Sequence, residues 1–433
     1  MRNHASRRVL AVASATLLLS AVACSRGGTG SGGGADDAAR ADVPGVTDTQ
    51  ILLGTHMPLT GPASGGYSKI APATKAYFDF VNAAGGVNGR KITYKYLDDG
   101  YNPANTQKVV RQLVLQDKVF SVLNGLGTPT HTSVLDFLGS NKVPDLFVAS
   151  GATAWNQPQK YPNTFGFNTD YTVEGKILAT YVKASLPGKK VCSLGQSDDF
   201  GADFVKGVET VLGASGLAAK QSYTVTNQNV APQVGALKAA GCQVVMLATV
   251  PGFTALTVGT AAKLAFQPQW VVSNVGGDYK TVAAALGKAA PLLEGMVGLN
   301  YLPMYNDTAN PWIQLFTKVN DQNNGKADFD GNVVYGMSVG YLAVQSLQNA
   351  GKDLTRDGVV QAVEKNGFVG PGLVPLRFSA TDHSGYAGGR LTKVAGGVQA
   401  YFGPSYVTDD GSGAVTESSQ APATPPASGI PAS

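Results

Sequence analysis

Short apolar runs alternate along most of the chain with longer segments whose apolar residues recur every three or four positions. "ILLGTHMPLTG", beginning at Ile51, reads as a strand that ends in Thr, Pro and Gly. "YSKIAPATKAYFDFVNAAGG" spaces Ile70, Tyr77, Phe78 and Val81 as one helical face and stops at Gly85 and Gly86. "KITYKYLDDG" alternates as a second strand, and "NTQKVVRQLVLQDK" is helical. "SVLNGLGTPT" starts as a third strand and opens into small residues and hydroxyls. "SVLDFLGSNK" is a third helix and "PDLFVASGAT" a fourth strand. Regular alternation of this kind predicts an α/β domain around a parallel sheet.

The pattern then restarts. "KKVCSLGQSDD" is a strand, "GADFVKGVETVLGASG" a helix, "QSYTV" a strand and "VAPQVGALKAAG" a helix; "CQVVMLATV", "FTALTVGTAAKLAF" and "PQWVVSNVGG" continue it. Two α/β units in tandem, with no sequence repeat between them, predict a two-lobed molecule. The length of 433 residues agrees, being too great for one ordinary core.

The ends of the chain read differently. Arg2, Arg7 and Arg8 precede an apolar run from Val9 to Val22, so 1–23 reads as an export signal, too short for a membrane span. Ala21-Val22-Ala23 before Cys24 resembles the bacterial lipoprotein box, although Ala21 stands where Leu is usual. That resemblance implies acylation of Cys24 and anchoring on the outer face of the cell membrane; a plain secretory signal is the alternative. Residues 24–45 are rich in Gly, Ser, Ala and Asp, the composition of a flexible tether. Residues 406–433 have a similar composition and are expected to be a disordered tail.

Charge removes one class of partner. Charged residues are 14% of the chain, the net charge is +4, and Lys and Arg are scattered, so there is no nucleic-acid footprint. Cys192 and Cys242 each open an apolar strand-like run. Neighbouring parallel strands would put both thiols at one end, where an exported protein could join them; two separate buried thiols are the other reading.

In open parallel sheets, ligands bind beyond the C-terminal ends of the strands. The segments there are "HMPLTGP", "NGLGTPT", "VASGAT", "GQSDDFG", "LATVPGF" and "SNVGGD". All are small, hydroxylic or Gly-containing, which lets backbone N–H groups approach a ligand. Two such rims facing each other predict a cleft for a small molecule with a negative or polar end.

"ILLGTHMPLTGP", "FVNAAGGVNGRKITYKYLDDGYNP" and "VPDLFVASGATAWN" resemble the branched-chain amino acid group of ABC-transporter solute-binding proteins. The resemblance covers Ile51 to about Phe378. It implies the type I periplasmic-binding fold: two Rossmann-like lobes with parallel sheets joined by crossover strands. Lobe one would comprise 46–168 plus 298–378, and lobe two 169–297 plus 379–405. It also implies ABC permease subunits as partners and no cofactor.

Residue by residue, the resemblance assigns a ligand carboxylate to the hydroxyls of Thr128 and Thr153, helped by backbone N–H groups at Gly151 and Ala152. Thr128 as a simple helix cap is the competing expectation. Where relatives use a Tyr and a Glu near an ammonium, this chain has Phe200 in "SDDFG" and Phe253 in "TVPGF". A buried ammonium without an acid is strongly disfavoured. Phe200 and Phe253 instead form an apolar wall with Trp155, which favours an aromatic or other non-amino carboxylate over a branched-chain amino acid. Asp198, Asp199 or Asp278 could supply the charge from another angle, and the two Phe residues could equally belong to the core. His56 and Asn274 are expected to line the cleft. No metal partner stands at ligand spacing from His56, and Tyr305, Tyr335 and Tyr341 are expected to pack helices, with a reach to the hinge left open for Tyr335.

A receptor delivering solute to an importer needs no chemistry, and no nucleophile elbow, P-loop or dinucleotide fingerprint is present. A sensor acting with a membrane signalling partner is the alternative, and an enzyme on this scaffold is the least favoured class.

Overall fold

Strands β1 (Gln50–Met57), β2 (Lys91–Asp98), β3 (Ser121–Leu123), β4 (Asp145–Val148) and β5 (Thr164–Gly166) form one all-parallel sheet in the order β2-β1-β3-β4-β5. The computed structural model describes residues 43–432, so the export signal, Cys24 and most of the expected tether lie outside the described residues. Every residue of β3, β4 and β5 is buried, as in a sheet covered by helices on both faces, whereas β2 at the edge alternates. The helices Ile70–Ala83 and Gly331–Asn349 cross closely beside this sheet. A Cβ on Gly336 would lie 2.3 Å from the Ile70 carbonyl oxygen, so the crossing requires glycine.

The second sheet holds β6 (Val191–Gln196), β7 (Ala219–Tyr223), β8 (Val244–Ala248), β9 (Gln269–Val272) and β10 (Val297–Asn300) in parallel. It continues antiparallel through β11 (Gly388–Ala395), β12 (Val398–Val407) and the short β13 (Thr416–Glu417). Cys192, near the start of β6, and Cys242, just before the adjacent β8, are joined by a disulfide with Cα atoms 5.8 Å apart.

Three chain passages link the lobes. β5 leads into the helix Tyr171–Ser185 beside the second sheet, β10 leads back to the helices Pro311–Asn323 and Gly331–Asn349, and 376–388 returns to β11. All of β10 pairs within the second sheet, so the lobe boundary expected at 297/298 falls after Asn300.

The expectation of a disordered tail over 406–433 is overturned. β13 extends the second sheet, and the chain then lies along the first lobe. Trp312 Nε1 donates to the Ala423 carbonyl (2.7 Å), Tyr77 Oη to Gly429 (2.7 Å) and Gln348 Nε2 to Pro431 (2.9 Å). Extended Pro-rich backbone makes no internal hydrogen bonds. Its carbonyls are free to accept from side chains of a surface already built, which a composition-based reading does not detect.

Candidate functional site

A cavity of about 100 Å³ lies between the C-terminal edges of the two sheets. One buried water needs on the order of 10–15 Å³ on the same measure, so a small organic solute fits. Tyr67, Tyr101, Thr128 and Tyr335 line it from the first lobe. Tyr171, Phe200, Asn274 and Asp278 line it from the other side, and Tyr301, Met304 and Tyr305 follow β10 along its wall.

Thr128 opens the short helix Thr128–Thr132 directly beyond β3. Gly127 before it has φ +103°, and a Cβ there would sit 2.4 Å from Thr130 Oγ1 and 2.5 Å from the Tyr101 ring. Glycine is therefore obligatory at the point where the backbone turns toward the cavity. The helix has no side-chain cap. The Thr128 hydroxyl instead lies 2.8 Å from Ser150 Oγ, which removes the capping alternative. Burial pushes the Tyr171 phenol up, against the opposing effect of hydrogen bonding from Ser150, the Gly151 backbone and Thr128. Three hydroxyls thus gather at one corner.

The hydroxyl bonded to Thr128 is that of Ser150, not Thr153, and Ser150 stands behind Thr128 rather than on the cavity wall. Thr153 lies in the short 3-10 turn Thr153–Trp155, and its N and Oγ1 both donate to Asp203 Oδ2 on the helix Asp199–Leu212 (2.8 and 3.1 Å). Gly151 gives its carbonyl to Tyr171 N (2.8 Å), and Ala152 is buried. Trp155 is 1% exposed, with its edge against His131. All four were expected at the ligand, and none is among the cavity-lining residues. His56 is also absent from the wall; it is wholly buried, bonded to Asp99 and His131. Phe253 stacks on Tyr223 at 4.2 Å in the core of the second lobe, the alternative left open for it. Phe200 and Asn274 do line the cavity, Phe200 with its ring 4.3 Å from Tyr171.

The tyrosines are the group that sequence reasoning missed. Tyr335 and Tyr305, expected to pack helices, line the cavity, while Tyr341 is buried against Trp312. No local signal separates a cleft tyrosine from a core one. Ser150, in contrast, was findable: it is the first hydroxyl after β4, where the strand-end rule points.

Burial holds the phenols of Tyr67, Tyr101, Tyr301 and Tyr335 above their ordinary value, and that of Tyr305 up to about 12, so they remain neutral donors. Among the described lining residues there is no Lys or Arg, and the one acid is Asp278. Asp278 caps the helix Tyr279–Leu286, accepting from Thr281 N at 2.8 Å, and burial raises its carboxyl. Asp198 instead caps the helix bearing Phe200. Several bonds cross the cleft: Tyr67 Oη donates to the Val275 carbonyl (2.8 Å), Gln196 Nε2 to Tyr101 Oη (3.2 Å) and Asn332 Nδ2 to Thr281 Oγ1 (3.1 Å). The lobes are closed on each other.

Asp170 caps the helix Tyr171–Ser185, and Glu174 lies in its first turn. Glu174 accepts from Ser273 Oγ and Asn274 N, fixing the loop that carries Asn274. Burial pushes both carboxyls up to about 7, with Asp203 and Asp410 adding repulsion at Asp170. The folded chain therefore holds protons that the unfolded chain releases. The associated stability is fully present below about pH 4 and is lost as pH rises through about 7. Asp170→Asn keeps the oxygen that accepts from Thr172 N and Val173 N while removing the titration. In urea unfolding it should gain stability over the parent at about pH 8 and gain nothing at about pH 4. Equal gains at both pH values would contradict this.

A model of a family described as periplasmic binding protein matches residues 50–399. The chain belongs to the periplasmic binding protein family. Among relatives of this periplasmic binding protein, the Leu/Ile/Val-binding protein homolog 3 of Brucella melitensis is 25% identical over 198 residues, covering 45% of this chain and 53% of the relative. The Leu/Ile/Val-binding protein BraC3 of Rhizobium johnstonii is 23% identical, covering 42% and 49%. The chain thus spans about half the length of these curated relatives. Among solved structures, a fatty acid ABC transporter substrate-binding protein from Thermomonospora curvata has a TM-score of 0.75 at 24% identity, covering 85% of this chain and 95% of its own. A branched chain amino acid ABC transporter protein from Thermus thermophilus with bound valine has a TM-score of 0.74 at 20% identity, covering 84% and 98%. At these identities the structures show the shared fold: the α/β, two-sheet architecture of a type I periplasmic binding protein.

Proposed function

We propose that this periplasmic binding protein is an extracytoplasmic receptor, anchored through a lipid on Cys24, that hands a small carboxylic acid to the permease of an ABC importer. The observation that carries the ligand class is the cluster of three hydroxyls from Thr128, Ser150 and Tyr171, of which Thr128 and Tyr171 line a cavity whose wall is rich in aromatic rings and also carries Asn168, Asn274, Asn300, Asn332, Gln399 and Asp278. Hydroxyl donors suit a carboxylate, and the rings suit an aryl or branched apolar body. Relatives named for leucine, isoleucine and valine, and a fold neighbour named for fatty acids, agree with an acid group on an apolar body.

Calorimetry against aryl acids, short fatty acids and branched-chain amino acids tests the proposal. Thr128→Ala should weaken the best binder by about 1–3 kcal/mol, on the order of 10- to 100-fold, the effect of losing a hydrogen bond to a charged group. Unchanged affinity would remove Thr128 from the acid site. Asp278 on the wall supports a second reading, an amino acid whose ammonium it receives. Asp278→Asn separates the two: binding of an amino acid should collapse, and binding of a plain acid should persist.

A further inference from the structure

Four ionisable side chains with no solvent exposure form an unbroken line of hydrogen bonds through the first lobe. Asp99 Oδ2 lies 2.8 Å from His56 Nδ1, His56 Nε2 lies 2.9 Å from His131 Nδ1, and His131 Nε2 lies 2.8 Å from Asp145 Oδ2. His56 is the penultimate residue of β1, Asp99 follows β2, Asp145 begins β4, and His131 sits on the helix that Thr128 opens. We propose that His56 and His131 are positioning residues for the Thr128 corner, and that solute capture is coupled to the number of protons this line holds. The coupling to capture rests on the cleft assignment above; the proton line stands independently of it.

Each of the three contacts needs one hydrogen between its heavy atoms. Two neutral imidazoles bring two, so a third, shared proton completes the line, leaving it with one net negative charge from its two carboxylates. With a proton fewer, one contact has lone pairs facing each other. With a proton more, one contact has two hydrogens facing, unless the proton moves to Asp145 Oδ1, which is buried with no hydrogen-bond partner among the described residues. The three-proton state is bonded at every contact, whereas a fourth proton either parts one contact or sits on that Oδ1 with nothing to donate to among the described residues, and a buried polar line is costly when partly satisfied.

The surroundings leave the line to itself. The charged or ionisable groups acting on His56 are Asp99, His131 and Asp145. The helix Pro103–Arg111 contributes Thr106 Oγ1 to Asp99, β5 contributes Thr164 Oγ1 to Asp145, and the turn Thr153–Trp155 lays the Trp155 edge on His131. None of those three titrates. The Tyr101 backbone N–H donates to Asp99 Oδ1, while its phenol bonds Gln196 across the cleft. Burial holds the His56 imidazole below its ordinary value. The unfolded chain then takes up more protons, so the folded arrangement weakens as pH falls below about 6.5. The link to the cleft is short. His131 N donates to the Gly127 carbonyl (3.0 Å), and Gly127 and Thr128 both line the cavity.

The test is an NMR titration of the full chain, labelled at the histidine ring nitrogens and at backbone amides, from about pH 8 to about pH 5. The His56 ring should change in one step below about pH 6.5, with the His131 ring signals and the Gly127 and Thr128 amides following at the same midpoint through the shared hydrogen bonds. In His131→Gln, the joint step should vanish and those amides should stop responding. In parallel, calorimetry with benzoate and with leucine as probes should show affinity falling about tenfold or more across the step in the parent, and weak, pH-independent binding in His131→Gln. Independent titration of the two rings, or a joint step that leaves the Gly127 and Thr128 amides still, overturns the proposal. These readouts come from the parent protein, so they decide even if the variant fails to fold. Failure of both probes to bind the parent would count against the proposed solutes, while the ring and amide titration still decides the brace.

Discussion

Gly125→Ala is expected to destabilise the protein by about 3–5 kcal/mol, although it adds a single methyl group. Gly125 backs directly onto the bond between the two histidines. A Cβ there would lie 2.4 Å from His131 Nδ1 and 2.6 Å from His56 Nε2, closer than such atoms approach. Neither ring can step aside, because each is held at its far nitrogen by a buried aspartate. Overpacking alone costs about 1–3 kcal/mol, and parting the histidines adds the cost of buried groups left unpaired. Urea unfolding at neutral pH should show the midpoint falling with an unchanged slope. A midpoint equal to that of the parent would mean that the ring pair relaxes freely and is no rigid brace.

Removing the disulfide is expected to have an effect of similar size on the other lobe. The bond between Cys192 and Cys242 spans a sequence separation of 50 residues. On the chain-entropy model, closing a loop of that length stabilises by about 4 kcal/mol. Cys192 is unexposed and Cys242 nearly so, and the pair ties β6 to the chain entering β8, at the strand ends opposite the cleft. The double variant Cys192→Ala with Cys242→Ala should therefore lose about 4 kcal/mol in urea unfolding while keeping the parent's solute affinity, because the strand ends that build the cavity are untouched. A reductant should reproduce the loss in the parent and leave the variant unaffected. A variant as stable as its parent would show that the packing of β6 on β8 suffices without the bond.

Much of the fold was legible locally. The strands from Ile51, Ser121 and Val244 announce themselves as apolar runs, and "YSKIAPATKAYFDFVNAAGG" by its helical face and glycine stop, because side-chain period and backbone preference act within a few residues. The cleft's place followed, since parallel strands deliver their C-terminal ends to one edge. Asn274 lies on such a strand-end segment, and the family resemblance singled out Thr128 and Phe200; all three line the cavity. The tail misled because weak hydrophobicity does not exclude docking onto Trp312 and Tyr77.

The sequence by itself determined the alternation of strands and helices, the two-lobed layout and the rim of small and hydroxylic residues at the strand ends. These depend on interactions within one element, whose period is written in the residues. Only the tertiary structure decided which rim side chains face the cavity. Asp203, fifty residues away, draws Thr153 aside; Tyr223 claims Phe253; Asp99 and His131 bury His56. In a loop, side-chain direction is set by whichever distant group offers the better bond or contact, and that partner exists only once the chain has folded.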